Sequence, residues 1–110
     1  MIKTIGLLTR RPDWSHQQFM THWDEVHAPL ARTVPGLLRY VQNHIGGERT
    51  RADIPSLDLS VDGIAELWFA DRASYETALA SPEMKALHAD GATFIGRIKS
   101  YVVEEKTIVG

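Results

Sequence analysis

The chain has 110 residues, of which 44% are hydrophobic and 24% are charged, and these figures are typical of one ordinary globular domain. A formal net charge of −2 excludes a globally basic surface of the kind that binds nucleic acid. The absence of cysteine excludes disulfides, zinc–thiolate sites, iron–sulfur clusters and cysteine nucleophiles. No apolar run is long enough for a signal peptide or a membrane helix. We therefore expect a single cytoplasmic domain over residues 1–110.

The first quarter of the chain predicts a strand followed by a helix. Residues 2–9 are apolar and β-branched, which favours a short strand. Ser15 and Gln18 form a capping-box pattern that begins a helix. Apolar residues then recur every three or four positions, and His27 shares their stripe. Because Pro29 removes one helical hydrogen bond, we expect a kink near His27, with the helix ending by Thr33.

Two further strands are predicted in the middle of the chain, separated by an irregular stretch. Successive side chains of the segment 37–45 are expected to point to opposite faces of a strand. One set then shares a common face: Leu38, Tyr40, Gln42 and His44. Residues 46–60 contain paired glycines, a proline and mixed charges, which indicate a long loop. The segment 61–69 alternates again, so that Glu66 and Trp68 face away from Leu67. A glutamate on that outer face needs a partner, for which Arg97 and Lys99 are the candidates.

The last third predicts a second helical region and a fourth strand. Asp71 is a suitable N-cap, and Ser81-Pro82 restarts the helix. We expect Leu87 and His88 to lie on its buried stripe and Gly91 to end it. Residues 97–103 form the fourth predicted strand.

The order of these elements, β-α-β-β-α-β, predicts a ferredoxin-like α+β sandwich with a four-stranded antiparallel sheet and helices on one face. The other sheet face still carries apolar residues and needs a cover. In a chain this small, the natural cover is a second copy. We therefore expect a homodimer in which two sheets pack together as an eight-stranded α/β barrel.

The block Trp23-Asp-Glu-Val-His-Ala-Pro-Leu30, with its internal His-x-Pro, and further blocks at 7–12, 35–44, 64–69 and 94–96 form a recognisable pattern. With these blocks, of which 23–30 is the most specific, the chain resembles the EthD family of small dimeric α/β-barrel proteins. The 54–58 loop and the segment 94–99 are most similar to the branch that contains methylmuconolactone methylisomerase. Leu67 stands where that branch has a cysteine, and Asp53 and Asp90 stand where it has histidines. The resemblance implies reactions on lactones or aromatic intermediates that use no metal or organic cofactor.

His27 is the first candidate for catalysis. An imidazole on an apolar stripe is tuned by modest desolvation into a neutral base, which can remove a proton beside a carbonyl and return it elsewhere. The alternative is a buried structural histidine. Tyr40 could approach His27 and stabilise an enolate as a hydrogen-bond donor, or be a core tyrosine. Asp53 could be a second acid or base, or a solvated loop residue.

The remaining candidates would bind the substrate. Large apolar residues could line a slot for a flat ring: Trp23, Leu67, Phe69, Leu87 and Phe94. Asp90 is a candidate by the resemblance, although it could instead only terminate the helix. His22 and His27 are five residues apart, about 140° around an α-helix. We therefore predict no metal site and leave His22 out of the candidate site.

Three functions remain open from the sequence. The first is a cofactor-independent isomerase or lyase that acts on a small lactone or aromatic intermediate. The second is a non-catalytic dimer that carries a hydrophobic metabolite to a partner enzyme. The third is a cofactor-free oxygenase. In each case we expect a small-molecule ligand and a second copy of the chain as partners, and neither nucleic acid nor a membrane.

Overall fold

The computed structural model describes all 110 residues, and no helix in it is long and apolar enough to span a membrane. The strands are β1 (Ile2–Arg10), β2 (Leu37–His44), β3 (Gly63–Phe69) and β4 (Ile95–Val103). The helices are α1 (His16–His22), a π-helical turn (Trp23–His27), α2 (Ala28–Ala31), α3 (Arg72–Leu79) and α4 (Pro82–Phe94).

The four strands form one antiparallel sheet in the order β2-β3-β1-β4. The central strands β1 and β3 pair from Ile2↔Phe69 to Leu8↔Gly63. The helices pack on one face of this sheet, where the buried side chains form two adjoining clusters. The predicted ferredoxin-like α+β fold is therefore confirmed.

Local capping signals place the helix starts. The Ser15 side chain accepts from the Gln18 N–H and the Gln18 side chain accepts from the Ser15 N–H, so the predicted capping box is confirmed. Asp71 and Ser81 cap α3 and α4 as predicted. The prediction that Gly91 ends the last helix is wrong, because α4 continues to Phe94. Gly91 has no positive φ and lies buried within the helix.

The predicted kink near His27 takes the form of a π-helical turn, and the helix then continues as α2. The Ala28 N–H donates to the carbonyl oxygen of Trp23, five residues earlier. Pro29 follows directly and has no N–H with which to restore the α-helical pattern. One extra residue is thereby wound into the turn. Val26, which the α-helical period places on the buried stripe, is exposed.

Two predicted orientations are wrong for local reasons. Leu38 is exposed because the pairing of β2 with β3 shifts between Leu37 and Arg39, so that Leu37 takes the core side of the strand. His88 is exposed on α4, where the buried positions are Met84, Leu87, Gly91 and Phe94. Tyr40 and Gln42 lie on the helix side of β2, as the alternation predicts.

The outer face of the sheet carries an ion pair with a partner that differs from the predicted ones. Glu66 pairs with Lys3 at 2.7 Å rather than with Arg97 or Lys99. The strand order explains the difference, because β1 lies directly beside β3 and separates it from β4. The Lys3 ammonium also lies over the Trp68 ring, 4.4 Å from its centre.

Candidate functional site

A cavity of about 640 Å³ lies between the sheet and the helices. Six of the predicted site residues line it: Trp23, His27, Tyr40, Leu67, Phe69 and Leu87. Thr4, Gly6 and Leu8 of β1 contribute to its floor, while Ile98, Ser100 and Val102 of β4 line one side. The lining is mostly hydrophobic with a few polar groups, which is the usual character of a small-molecule site.

His27 lies buried on the wall of this cavity and is bound to a carboxylate. Its Nδ1 lies 2.8 Å from Oδ2 of Asp90 on α4. His22 Nε2 lies 3.0 Å from the other oxygen, Oδ1, of the same carboxylate. Asp90 therefore bridges two histidines, one facing the cavity and one nearer the surface. The ring of Phe94 packs against both imidazoles, with centres 5.1 Å from His27 and 4.6 Å from His22.

The π-helical turn is what brings the two histidines together. In a regular α-helix, residues five apart point in different directions, about 140° from each other. The wider turn between Trp23 and His27 contains one more residue, so that residues five apart lie above one another. His22 and His27 therefore reach the same carboxylate. Single π-helical turns of this kind are frequent at functional sites.

The hydrogen bonds assign the tautomer of His27. An ionised carboxylate only accepts, so Nδ1 carries the hydrogen that it donates to Asp90. Nε2 makes no hydrogen bond within the protein and is left as the acceptor of a neutral imidazole. Burial lowers the pKa of His27 below 6.5, although the hydrogen bond to Asp90 opposes this shift. At neutral pH, His27 is therefore an uncharged imidazole on the cavity wall.

Tyr40 is oriented by a chain of hydrogen bonds along β2. His44 Nε2 lies 2.8 Å from Gln42 Oε1, and the Gln42 amide nitrogen lies 2.8 Å from the Trp23 carbonyl oxygen and 3.0 Å from the Tyr40 hydroxyl oxygen. The amide donates to both. Burial raises the pKa of Tyr40, opposed by the nearby donors on Gln42 and Trp23. The hydroxyl therefore keeps its hydrogen and can donate it to a ligand.

Three predicted residues lie elsewhere. Asp53 is exposed in the long loop, where Arg51 Nη2 lies 2.7 Å from its Oδ2, and it does not line the cavity. Phe94 is fully buried behind His22 and His27 and does not line the cavity either. Asp90 is bound to the two imidazoles rather than placed on the cavity wall.

Two residues of this arrangement are absent from the predicted site. The α-helical angle excludes His22, but the proline two residues after His27 disfavours regular hydrogen bonding there and is the signal for including it. Gln42 lies two positions from Tyr40 on the same strand face, and this spacing is the signal for a contact with the tyrosine.

Comparisons with known proteins agree with this fold. Residues 11–98 match the EthD domain. The chain is 35% identical over 106 residues to 4-carboxymethyl-4-methylbutenolide mutase of Pseudomonas reinekei, covering 96% of this chain and 98% of the mutase. It also resembles the crystal structure of an EthD-family protein from Bacillus halodurans, with a TM-score of 0.76, 29% identity, and 96% and 99% of the two chains covered.

A dimeric ferredoxin-like protein of unknown function from Thermobifida fusca shares the fold, with a TM-score of 0.65 and 14% identity over 93% of this chain and 88% of that one. At this identity the likeness concerns the fold alone. The shared fold nevertheless covers almost the whole chain.

Proposed function

We propose that this chain, which belongs to the EthD family, is a cofactor-independent isomerase that acts on a small lactone. The observation that carries the proposal is His27, a neutral imidazole bound to Asp90 through Nδ1, in the wall of a mostly apolar cavity that Tyr40 also lines. The butenolide mutase, to which the chain is similar along its whole length, supports a lactone as the substrate class.

The proposed reaction moves one proton within the substrate. Nε2 of His27 removes a proton from the carbon beside the lactone carbonyl, and the electron pair of that C–H bond passes to the carbonyl oxygen as an enolate. Tyr40 donates a hydrogen bond to this oxygen as its negative charge develops. Asp90 stabilises the imidazolium that forms. His27 then returns the proton to a different carbon, so that substrate and product have the same mass.

The apolar interior contributes to each of these steps. Desolvation keeps His27 neutral before the reaction, which makes it available as a base at neutral pH. It also strengthens the hydrogen bond from Tyr40 to the developing enolate, because few water molecules compete for it. Leu67 and Phe69 on β3 support the ring of the substrate from the sheet side of the cavity.

We propose further that the protein is a homodimer that buries the outer face of the sheet. Partly buried apolar side chains lie on this face at Ile5, Leu7 and Ile64, on adjacent central strands. The fold likeness to dimeric proteins supports this arrangement. Sedimentation equilibrium of the native protein should give twice the chain mass, and Leu7→Lys should give a single chain mass. A native protein of single-chain mass would contradict the dimer.

The reaction is tested by following the NMR spectrum of the purified protein with a panel of substituted butenolides and muconolactones. We expect one of them to form a new product of unchanged mass. His27→Gln should slow this conversion by about 10²- to 10⁴-fold, the usual contribution of a general base. His16→Gln is the matched control, since His16 also contacts an aspartate but lies away from the cavity, and it should retain the activity.

Other outcomes of this experiment favour the other functions. If a lactone signal broadens equally with the native protein and with His27→Gln, and no product forms, the result would contradict the isomerase and favour a carrier. Consumption of O₂ with a product of increased mass would favour an oxygenase. Full activity of His27→Gln would remove His27 from the mechanism.

A further inference from the structure

Gly6 occupies the middle of a central strand, where glycine weakens a sheet. It lies in β1, which pairs with β3 on one side and with β4 on the other. Glycine contributes no side chain to the packing there and loses more conformational entropy on folding than alanine does. Glycine inside a strand often marks a bulge, or a place where another backbone or a ligand approaches closely.

The fold itself does not require glycine at position 6. Gly6 pairs in regular register with Ala65 and with Ser100, and the shift of register in β1 lies near the end of the strand. Its φ is not positive. A Cβ at this position would lie 3.7 Å from Leu8, 3.8 Å from Ser100 and 3.9 Å from Ala65, which are ordinary contacts with side chains. A bulge, a special backbone conformation and a close backbone neighbour are therefore excluded.

Two other glycines, in contrast, are required by their surroundings. At Gly63 a Cβ would lie 2.7 Å from Cη2 of Trp23, and at Gly96 it would lie 2.6 Å from the carbonyl oxygen of Arg10. Distances below 3.0 Å leave no room for a side chain. The three atoms nearest to a Cβ at Gly6 all belong to the sheet and none to a helix. The space over Gly6 belongs to the cavity between sheet and helices, which this glycine lines.

From these observations we infer that Gly6 leaves room for an aliphatic side chain of the lactone, an inference that rests on the proposed function. The cavity of about 640 Å³ lies in the range that binds drug-sized ligands, and a bare five-membered ring would fill only part of it. Two of the three neighbours of the open position, Leu8 and Ala65, are apolar, which suits an aliphatic chain. Gly6 is then a residue that determines specificity, because a larger residue would occupy the place of that chain.

The inference is tested by ligand binding, measured from NMR chemical shifts. The probe is γ-nonalactone, a saturated lactone ring that carries a pentyl chain, and the control ligand is γ-butyrolactone, the same ring without the chain. Neither contains a C=C bond whose position a proton transfer could change, so binding is measured without turnover. Gly6→Ala adds one methyl group to the floor of the cavity. Gly46→Ala is the matched control variant, because Gly46 does not line the cavity and a Cβ there would meet nothing within 4 Å.

We expect the native protein to bind nonalactone more tightly than butyrolactone, because the chain buries apolar surface over Gly6. Gly6→Ala should weaken the binding of nonalactone about tenfold, as expected for one methyl group in an apolar pocket, and should bind butyrolactone as the native protein does. Gly46→Ala should bind both lactones like the native protein. Gly6→Ala should also unfold at a temperature at least as high as that of the native protein, because alanine is the better strand residue.

A second measurement locates the chain without any variant. In the complex of native protein and nonalactone, a nuclear Overhauser effect should connect protons of the pentyl chain with the Hα protons of Gly6, and not with those of Gly46. The inference is overturned if nonalactone does not bind, if this effect is absent from the complex, or if Gly6→Ala weakens both lactones equally or neither of them.

These results are independent of catalysis. A protein that converts no butenolide, but loses its preference for nonalactone in Gly6→Ala, would leave the inference intact and remove the isomerase. A protein that isomerises butenolides, but whose Gly6→Ala variant binds both lactones normally, would retain the isomerase and overturn the inference.

Discussion

Two histidine–aspartate pairs, built from the same chemical groups, differ in what the second imidazole nitrogen contacts. His16 Nδ1 lies 2.7 Å from Oδ1 of Asp62, and its Nε2 lies 2.9 Å from the Ile45 carbonyl oxygen. His27 Nδ1 lies 2.8 Å from Asp90, and its Nε2 has no partner in the protein. Both nitrogens of His16 therefore lie against acceptors within the protein. Only one nitrogen of His27 does, and its imidazole lines the cavity.

The carboxylates of Asp62 and Asp90 also differ in the groups that donate hydrogen bonds to them. Burial of Asp62 raises the pKa of its carboxyl group, but the donors on the Arg10 backbone, His16 and the Arg10 side chain outweigh burial and hold the pKa below 3.8. These contacts join the start of α1 to the ends of β1 and β3. Asp90 accepts from two imidazoles and from no arginine or lysine. Under the proposed function, the partner of the second imidazole nitrogen decides whether such a pair stabilises the fold or supplies a base.

The largest expected difference between the pairs concerns stability. Asp62→Asn should reduce the free energy of unfolding by about 2 kcal/mol, because it weakens the hydrogen bonds that the 7% exposed carboxylate accepts from Arg10 and His16. Asp90→Asn should cost about 1 kcal/mol, since its partner His27 can stay neutral. Urea denaturation of both variants measures this. Equal losses of unfolding free energy in the two variants would contradict the distinction between the two pairs.

Activity should respond in the opposite order. Asp90→Asn should lower the rate of lactone isomerisation about tenfold, because the imidazolium of His27 loses its counter-charge as it forms. Asp62→Asn should leave the rate per folded molecule unchanged, since Asp62 does not line the cavity. Initial rates, corrected for the folded fraction, provide the comparison. A larger effect of Asp62→Asn would contradict the assignment of roles.

The lowered pKa of His27 predicts a pH dependence of stability. The unfolded chain binds a proton near pH 6.5, and the folded protein binds it at lower pH. Below pH 6.5 the unfolded state therefore binds more protons, and stability falls as the pH falls through this window. His27→Gln should lack this component, so the stability of the native protein relative to the variant should rise with pH up to about 6.5.

Urea titrations at several pH values test this expectation, with His16→Gln as the matched control for loss of an imidazole. A native protein that gains stability relative to His27→Gln as the pH falls would contradict the neutral form. The activity of the native protein should likewise decrease below pH 6.5, because protonated His27 is no longer a base.

The smallest expected effect concerns the packing around His27. At Gly91 a Cβ would lie 3.5 Å from Ile95 Cδ1 and 3.8 Å from His27 Cε1, which are ordinary contacts. Gly91→Ala should therefore stabilise α4 by about 0.5–1 kcal/mol through the helix propensity of alanine. Gly63→Ala is the contrasting variant and should destabilise, because its Cβ overlaps the Trp23 ring. Thermal unfolding of the two variants distinguishes these effects. Destabilisation by Gly91→Ala as well as by Gly63→Ala would contradict the conclusion that a methyl group fits beside His27.

Features with short-range signals were predictable from the sequence. The caps at Ser15, Asp71 and Ser81 depend on residues within three positions, and all three are present. Alternation placed Tyr40 and Leu67 on the helix side of the sheet, and both line the cavity. The fold followed from the order of the elements, which few topologies can accommodate in a chain of this length.

Features that depend on departures from regular geometry were not predictable in the same way. A constant 100° per residue separates His22 from His27, and one π-helical turn brings them to the same carboxylate. One irregularity in the pairing of β2 exchanges the orientations of Leu37 and Leu38. Only the family resemblance points to Asp90. The sequence alone does not show that Asp90 on α4 contacts His27, which lies 63 positions earlier in the chain.

The ionisation state of His27 tests the central claim most directly. Long-range ¹H–¹⁵N spectra of the imidazole rings at neutral pH distinguish a protonated nitrogen from an unprotonated one. We predict that His27 shows one protonated nitrogen, Nδ1, and an unprotonated Nε2. His27 in the doubly protonated form, or with its hydrogen on Nε2, would contradict the account of His27 as the base of this site.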